Sequence, residues 1–153
     1  PADSKPGELQ FELVSPEGAS AARPVTLVAK EAAIGEKEPN DGFRKAQPLP
    51  WEKILCGRIE RDRDVDVYHL EARAGHELSA TVLAARHGSF LDAVATLYDM
   101  RGNILASNDD VKGARDSFLR FTPKADGILC LAISDAHDRG GTWHSYTLQV
   151  REK

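Results

Sequence analysis

The sequence predicts an all-β fold, a jelly-roll-like antiparallel β-sandwich, on three observations. Short apolar and β-branched runs recur at regular spacing. Gly-bearing turns separate them. The one helix candidate, residues 19–22, is too short and too close to Pro24 to stand. Alternation is clearest in Leu78/Ala80/Val82/Ala84 and in Tyr146/Leu148/Val150, the pattern of strands buried on one face only. Many short strands with turn chemistry between them pack as two sheets.

Taken in chain order, residues 1–8 read as a disordered lead-in. Residues 11–14 and 25–28 read as short strands around the turn-rich Pro16-Glu17-Gly18-Ala19-Ser20. Residues 31–50 are polar and punctuated by Pro39, Gly42, Pro48 and Pro50, a linker that becomes an edge or cap of the sandwich. Strands are then expected near 53–59, 65–72, 76–86, 91–99, 103–107, 117–122, 128–135 and 143–151. Their connections include Ala74-Gly75-His76, Arg101-Gly102-Asn103, Ala125-Asp126-Gly127 and Arg139-Gly140-Gly141.

At 153 residues the chain holds one ordinary domain and a short extra segment, enough for a hydrophobic core without staples. A net charge of −4 with both signs interspersed gives no basic footprint for nucleic acid. No apolar run approaches the ~20 residues of a membrane helix, so no membrane insertion is expected. Residues 1–10 are polar, carry two prolines and show no signal peptide; opening on Pro1 points to a piece of a larger protein. Cys56 and Cys130 fit no zinc or redox spacing. Each lies in a strand-like run, so they pair if those strands are neighbours and otherwise stay as thiols.

The chemistry-bearing stretch is Glu36-Lys37-Glu38-Pro39-Asn40-Asp41-Gly42, with Asp62, Asp64 and Asp66 at alternate positions further on. Concentrated hard oxygen donors suit calcium, which takes about 6–8 oxygens at roughly 2.3–2.6 Å. In extended chain, residues two apart share a side at roughly 6.6 Å. Glu36, Glu38 and Asn40 can therefore face one way, given long Glu side chains and a bend at Pro39. Asp64 and Asp66 share a face by the same rule. Five carboxylates exceed the charge of one divalent ion, so either two ions bind or Arg58, Arg61 or Arg63 neutralises the surplus. The alternative is a solvated acidic linker, with Asp64 paired to an arginine.

Other clusters are weaker. Asn108-Asp109-Asp110 with Asp92 and Asp116 offers a second group of oxygens, though such loops commonly bond their own backbone. His69, His76, His87, His137 and His144 lack any zinc-protease spacing. Ser89 lies near His87 and Asp92 without a nucleophile elbow around it. Trp143 and His144 follow the Asp138-Arg139-Gly140-Gly141 loop, where an exposed aromatic can stack on a sugar or peptide; Trp143 and Trp51 alternatively lid the ends of the sandwich.

An ordered set of short motifs resembles the bacterial pre-peptidase C-terminal domain. The pieces are Glu38-Pro39-Asn40-Asp41, Gly57-Arg58-Ile59, Asp64-Val65-Asp66-Val67-Tyr68, Ala74-Gly75-His76-Glu77-Leu78 and Gly88-Ser89-Phe90-Leu91-Asp92. Leu97-Tyr98-Asp99, Arg101-Gly102-Asn103, Asp116-Ser117, Ala125-Asp126-Gly127, Gly140-Gly141 and Tyr146-Thr147-Leu148 come after them. The set is also similar to the collagen-binding domains of clostridial collagenases. That resemblance implies a calcium site in the acidic segment, formed by Glu36, Glu38, Asn40 and Asp41 and completed by Asp64 and Asp66. Residues 9–30 resemble the final strands of an immunoglobulin-like domain. The implied division is 1–34 for that segment and linker, then 35–153 for the sandwich.

The expected function is a non-catalytic accessory domain of a larger secreted or cell-envelope protein, a peptidase being one candidate parent. It would stabilise or target the whole, with calcium stiffening its entrance and the other domains of the polypeptide as partners. The alternative is a module binding extracellular carbohydrate or fibrous protein.

Overall fold

The structure, a computed structural model, describes residues 5–111 and 113–153. Four short strands come first: β1 (Gly7–Phe11), β2 (Val14–Ser15), β3 (Gly18–Ala19) and β4 (Arg23–Leu27). Ten more form the sandwich. They are β5 (Ala33–Gly35), β6 (Gln47–Pro48), β7 (Ile54–Arg58), β8 (Asp66–Ala72), β9 (Leu78–Leu83), β10 (Ala93–Asp99), β11 (Ile104–Asn108), β12 (Ser117–Phe121), β13 (Gly127–Asp135) and β14 (Ser145–Glu152). One sheet runs in the order β11-β10-β13-β8-β6 and the other β12-β9-β14-β7-β5. The eight strands from β7 onward fall where period and turn chemistry place them.

Alternation decides the packing. Tyr68, Leu70, Leu97, Leu131 and Ile133 of the first sheet and Leu55, Leu78, Val82, Leu148 and Val150 of the second are all buried in one core. Each such aliphatic side chain contributes about 1.5–3 kcal/mol on burial. Ala80, Ala93 and Ala95 leave room for larger side chains opposite. A satellite cluster covers the outside of the first sheet, where Phe43 and Ala46 pack on Val67, Cys130 and Ala132.

Residues 31–50 do form edges, one on each sheet. Here the all-antiparallel expectation needs correction, because β5 runs parallel to β7 and β6 parallel to β8. The chain enters beside β7, crosses to the other sheet and pairs beside β8. Residues 36–53 between β5 and β7, and 49–65 between β6 and β8, supply the length a parallel connection requires.

The N-terminal part also differs from expectation. β1 pairs with β4, and β2 with β3. The strand expected over 11–14 is thus divided between a pair and a hairpin, and the strand expected over 25–28 lies mostly in β4. Gly7 and Glu8 of the expected lead-in are already paired; residues 1–4 lie outside the described residues. The division expected after residue 34 falls within β5. Cys56 and Cys130 sit in opposite sheets and are both free thiols, so the pairing alternative fails on topology. No helix among the described residues is long and apolar enough to cross a membrane.

Candidate metal centre

The acidic entrance segment folds back over the end of the core where β7, β8 and β14 meet. Glu36 follows β5 and is fixed by three donors: Arg58 N–H to Oε2 at 2.8 Å, Tyr68 O–H to Oε1 at 3.0 Å and Asn40 Nδ2 to Oε1 at 3.1 Å. Glu38 accepts the Asn40 N–H at 3.0 Å, and the Glu38–Pro39 peptide is cis. Asn40 is fully buried; its carbonyl accepts the Val67 N–H at 3.1 Å, tying the segment to β8.

Glu36, Glu38 and Asp66 each place a carboxylate oxygen within 4.8 Å of the others. Donors bound to one calcium ion span no more than about 5 Å, twice the metal–oxygen distance. Among the described residues this is the one such acidic or histidine group. The Asn108–Asp110 loop forms none: Asp116 instead accepts from Ala84 N–H at 2.9 Å and Arg86 Nε at 2.9 Å.

The remaining two aspartates divide. Asp64 is buried, and its Oδ2 accepts the Glu60 N–H at 2.7 Å. Asp41 is turned toward solvent and bound by Arg61 at 2.7 Å. The same Arg61 Nη2 stands 3.2 Å from Asp64 Oδ1, without hydrogen-bond geometry. Arg61 is therefore the neutralising cation among the three arginines the charge count proposes.

Burial and mutual proximity raise the Asp66 and Glu38 carboxyls of the cluster. Burial first, then the neighbouring Glu36, pushes the Asp66 carboxyl up to about 9, against the Tyr146 hydrogen bond. Burial also raises Glu38, with Asp64, Glu36 and Asp41 adding to it against the Asn40 N–H. Tyr68 and Tyr146 are pushed up by burial and by the surrounding acids. Three short oxygen contacts link Glu36 to Tyr68, Tyr68 to Tyr146 and Tyr146 to Asp66, at 3.0, 2.6 and 2.6 Å. Two phenol protons cannot serve all three. A proton on the raised Asp66 carboxyl supplies the third.

Three buried oxygens also go without a hydrogen bond. Asn40 Oδ1, Asp64 Oδ1 and Asp66 Oδ1 are all inaccessible and accept no hydrogen bond. Leaving such atoms unpaired is costly, and native interiors avoid it. The donor set is entirely hard oxygen, which fits calcium and disfavours softer metals.

Trp143 and His144 go separate ways. Trp143 is 68% exposed, whereas His144 is buried, with Phe90 edge-on to its ring at 6.4 Å. Trp51 is the aromatic that lids the core, its Nε1 donating to the Glu71 carbonyl at 3.1 Å. The residues near Ser89 assemble no triad. Ser89 Oγ donates to the Trp143 carbonyl, His87 Nε2 contacts Thr26 Oγ1 at 3.1 Å, and Asp92 faces His137 at 3.6 Å.

Sequence reasoning missed the phenols. Tyr68 and Tyr146 read as plain core positions, yet their hydroxyls reach the acidic cluster. The available signal was a tyrosine, whose buried hydroxyl needs a partner, where phenylalanine would fill a core.

No family model matches the sequence, and no curated protein does. Among solved structures, the fold is similar to the pre-peptidase C-terminal domain of a collagenase from Bacillus anthracis, with a TM-score of 0.54 and 17% identity over 76% of this chain and 100% of that one. It is also similar to PliG of Aeromonas hydrophila, a periplasmic inhibitor of g-type lysozyme, with a TM-score of 0.56 and 18% identity over 71% of this chain and 96% of that one. The resemblance read from the motifs thus holds at the level of fold.

Proposed function

We propose that this chain contains a non-catalytic accessory domain of an exported protein, in which calcium clamps the entrance segment onto the sandwich. The observation that carries the calcium reading is the pair of buried, unpartnered oxygens of Asn40 and Asp66 beside the Glu36–Glu38–Asp66 cluster, with Asp64 Oδ1 near them held only by Arg61. Those residues would hold the ion, with Asp41 kept outside by Arg61. A bound divalent cation would supply the charge that the buried carboxylates lack. It would thereby join the linker, β7 and β8 into one rigid unit.

The accessory role is supported by the separate engagement of Ser89, His87 and Asp92, which leaves no poised nucleophile and base among them. An exported location is supported by the periplasmic setting named for PliG. Exposed apolar side chains of the N-terminal segment, Leu9, Phe11, Leu13, Val14 and Val25, suit strands that complete a preceding immunoglobulin-like domain of the same polypeptide.

Thermal melting with calcium and then with a chelator tests the clamp. A ligand that binds only the native state raises the midpoint by mass action. A curve unmoved by millimolar calcium would remove the metal from this reading.

A further inference from the structure

The outer face of the second sheet carries two rows of side chains, polar but for Phe118, that the core and the acidic cluster do not use. Strand register aligns Phe118, Thr81 and Gln149 across β12, β9 and β14, and Arg120, Ser79 and Arg151 in the adjacent row. All six point away from the core, since their neighbours Leu119, Ala80 and Val150 are buried in it. Adjacent rows on one face stand about 7 Å apart along the strands, and strands about 4.8 Å apart across them. The two rows floor a shallow trough of about 540 Å³, with Lys153 and Glu52 at its margin.

We propose that this trough binds an acidic polysaccharide whose sugars carry carboxylates. The charge is local. The chain carries a net −4, yet this face presents Arg120, Arg151 and Lys153, and of its acids Glu152 is drawn to Arg73 at 3.6 Å. Two arginine forks flank the Ser79 hydroxyl in one row, a spacing suited to carboxylates on a chain of sugars. The second row supplies the Phe118 ring for an apolar sugar face, and the Thr81 hydroxyl and Gln149 amide for sugar hydroxyls. Arg120 is pre-positioned, its guanidinium carbon lying 5.1 Å from the Phe118 ring centre, which lowers the cost of ordering it on binding.

A polysaccharide fits better than an acidic peptide. The backbones of β9 and β14 are paired on both sides, so the middle of the face offers side chains and no free edge for strand addition. Three cations with an acid at the margin also form a field of moderate density, matched by one carboxylate per sugar.

The test uses the whole chain and three polymers in affinity electrophoresis: polygalacturonate, neutral dextran and heparin. Retardation is expected with polygalacturonate and not with dextran. The double variant Arg120→Glu/Arg151→Glu, with both sites exposed, should retain the wild-type melting midpoint and weaken binding about tenfold or more. Phe118→Leu keeps the site apolar and should weaken it severalfold. Equal binding by the double variant, equal retardation by dextran, or retardation by heparin alone would each overturn the proposal. Addition of a chelator should leave binding unchanged, which separates this face from the calcium reading.

Discussion

The phenol oxygens of Tyr68 and Tyr146 lie 2.6 Å apart, one contributed by each sheet, at the point where the acidic segment seals the core. Their contact joins Glu36 on one side to Asp66 on the other. Tyr146→Phe removes the link between them and leaves Asp66 with no donor at Oδ2. A loss of about 1–3 kcal/mol in stability is expected, measured by denaturant unfolding in chelator. A neutral effect would mean that the phenol chain does not support the cluster.

Asp66→Asn separates stability from metal binding. With its carboxyl raised to about 9, Asp66 is protonated at neutral pH when no metal is bound, so the amide replaces a neutral group and the melting midpoint in chelator should hold. The calcium-induced increase should vanish, because a central ligand charge is lost. An undiminished calcium response would place the ion elsewhere.

Arg61→Gln has the opposite sign. It removes the cation shared by Asp41 and Asp64, which raises the negative charge around the cluster. The midpoint in chelator should fall while the calcium-dependent shift grows. A smaller shift would show that Arg61 organises the ligands rather than competing with the ion.

Two glycines are fixed by what lies above them. A Cβ at Gly57 would stand 2.6 Å from the Tyr146 ring, and one at Gly140 would collide with the Arg61 carbonyl oxygen. Gly57→Ala must displace a packed core ring, and Gly140→Ala a backbone. Each should cost about 1–3 kcal/mol, read from the urea midpoint, with Gly140→Ala at the upper end because backbone yields less than a side chain.

Asp135 is expected to contribute to the acid side of the stability profile. Burial works to raise its carboxyl, but the N–H groups of Asp92, Arg139 and His137 outweigh burial and hold it below the usual aspartate range. Those donors lie at 2.9, 3.1 and 2.9 Å. A folded value depressed below the unfolded one, about 3.9, gives stability that is fully present above pH ~4 and is lost as pH falls through the folded value. Asp135→Asn should reduce stability at neutral pH by about 1.5–3 kcal/mol and flatten the slope below pH ~4. An unchanged slope would assign acid unfolding to other carboxylates.

The sandwich was legible in the chain because a two-residue period and glycine turns are local signals. They located every strand from β7 onward to within a few residues. The parallel edges were not legible, since nothing local in Ala33–Gly35 or Gln47–Pro48 states which strand they will lie beside. The acidic segment was visible as a run of oxygen donors, and either two ions or one of three arginines was expected to balance it. Which arginine does so, and which aspartate turns outward, depended on the β7–β8 loop that brings Arg61 to Asp41 and Asp64.

By itself, then, the amino-acid order determined an all-strand body with a dense set of hard donors at its entrance, because residue type and period act over a few neighbours. Tertiary structure alone decided that Glu36, Glu38 and Asp66 converge while Asp41 does not, that two phenols 78 positions apart complete the cluster, and that the cysteines stay apart. It also aligned Arg120, Ser79 and Arg151 into one row. Convergence of that kind is set by sheet order and register, which arise from packing two faces against each other and are written in no short stretch of chain.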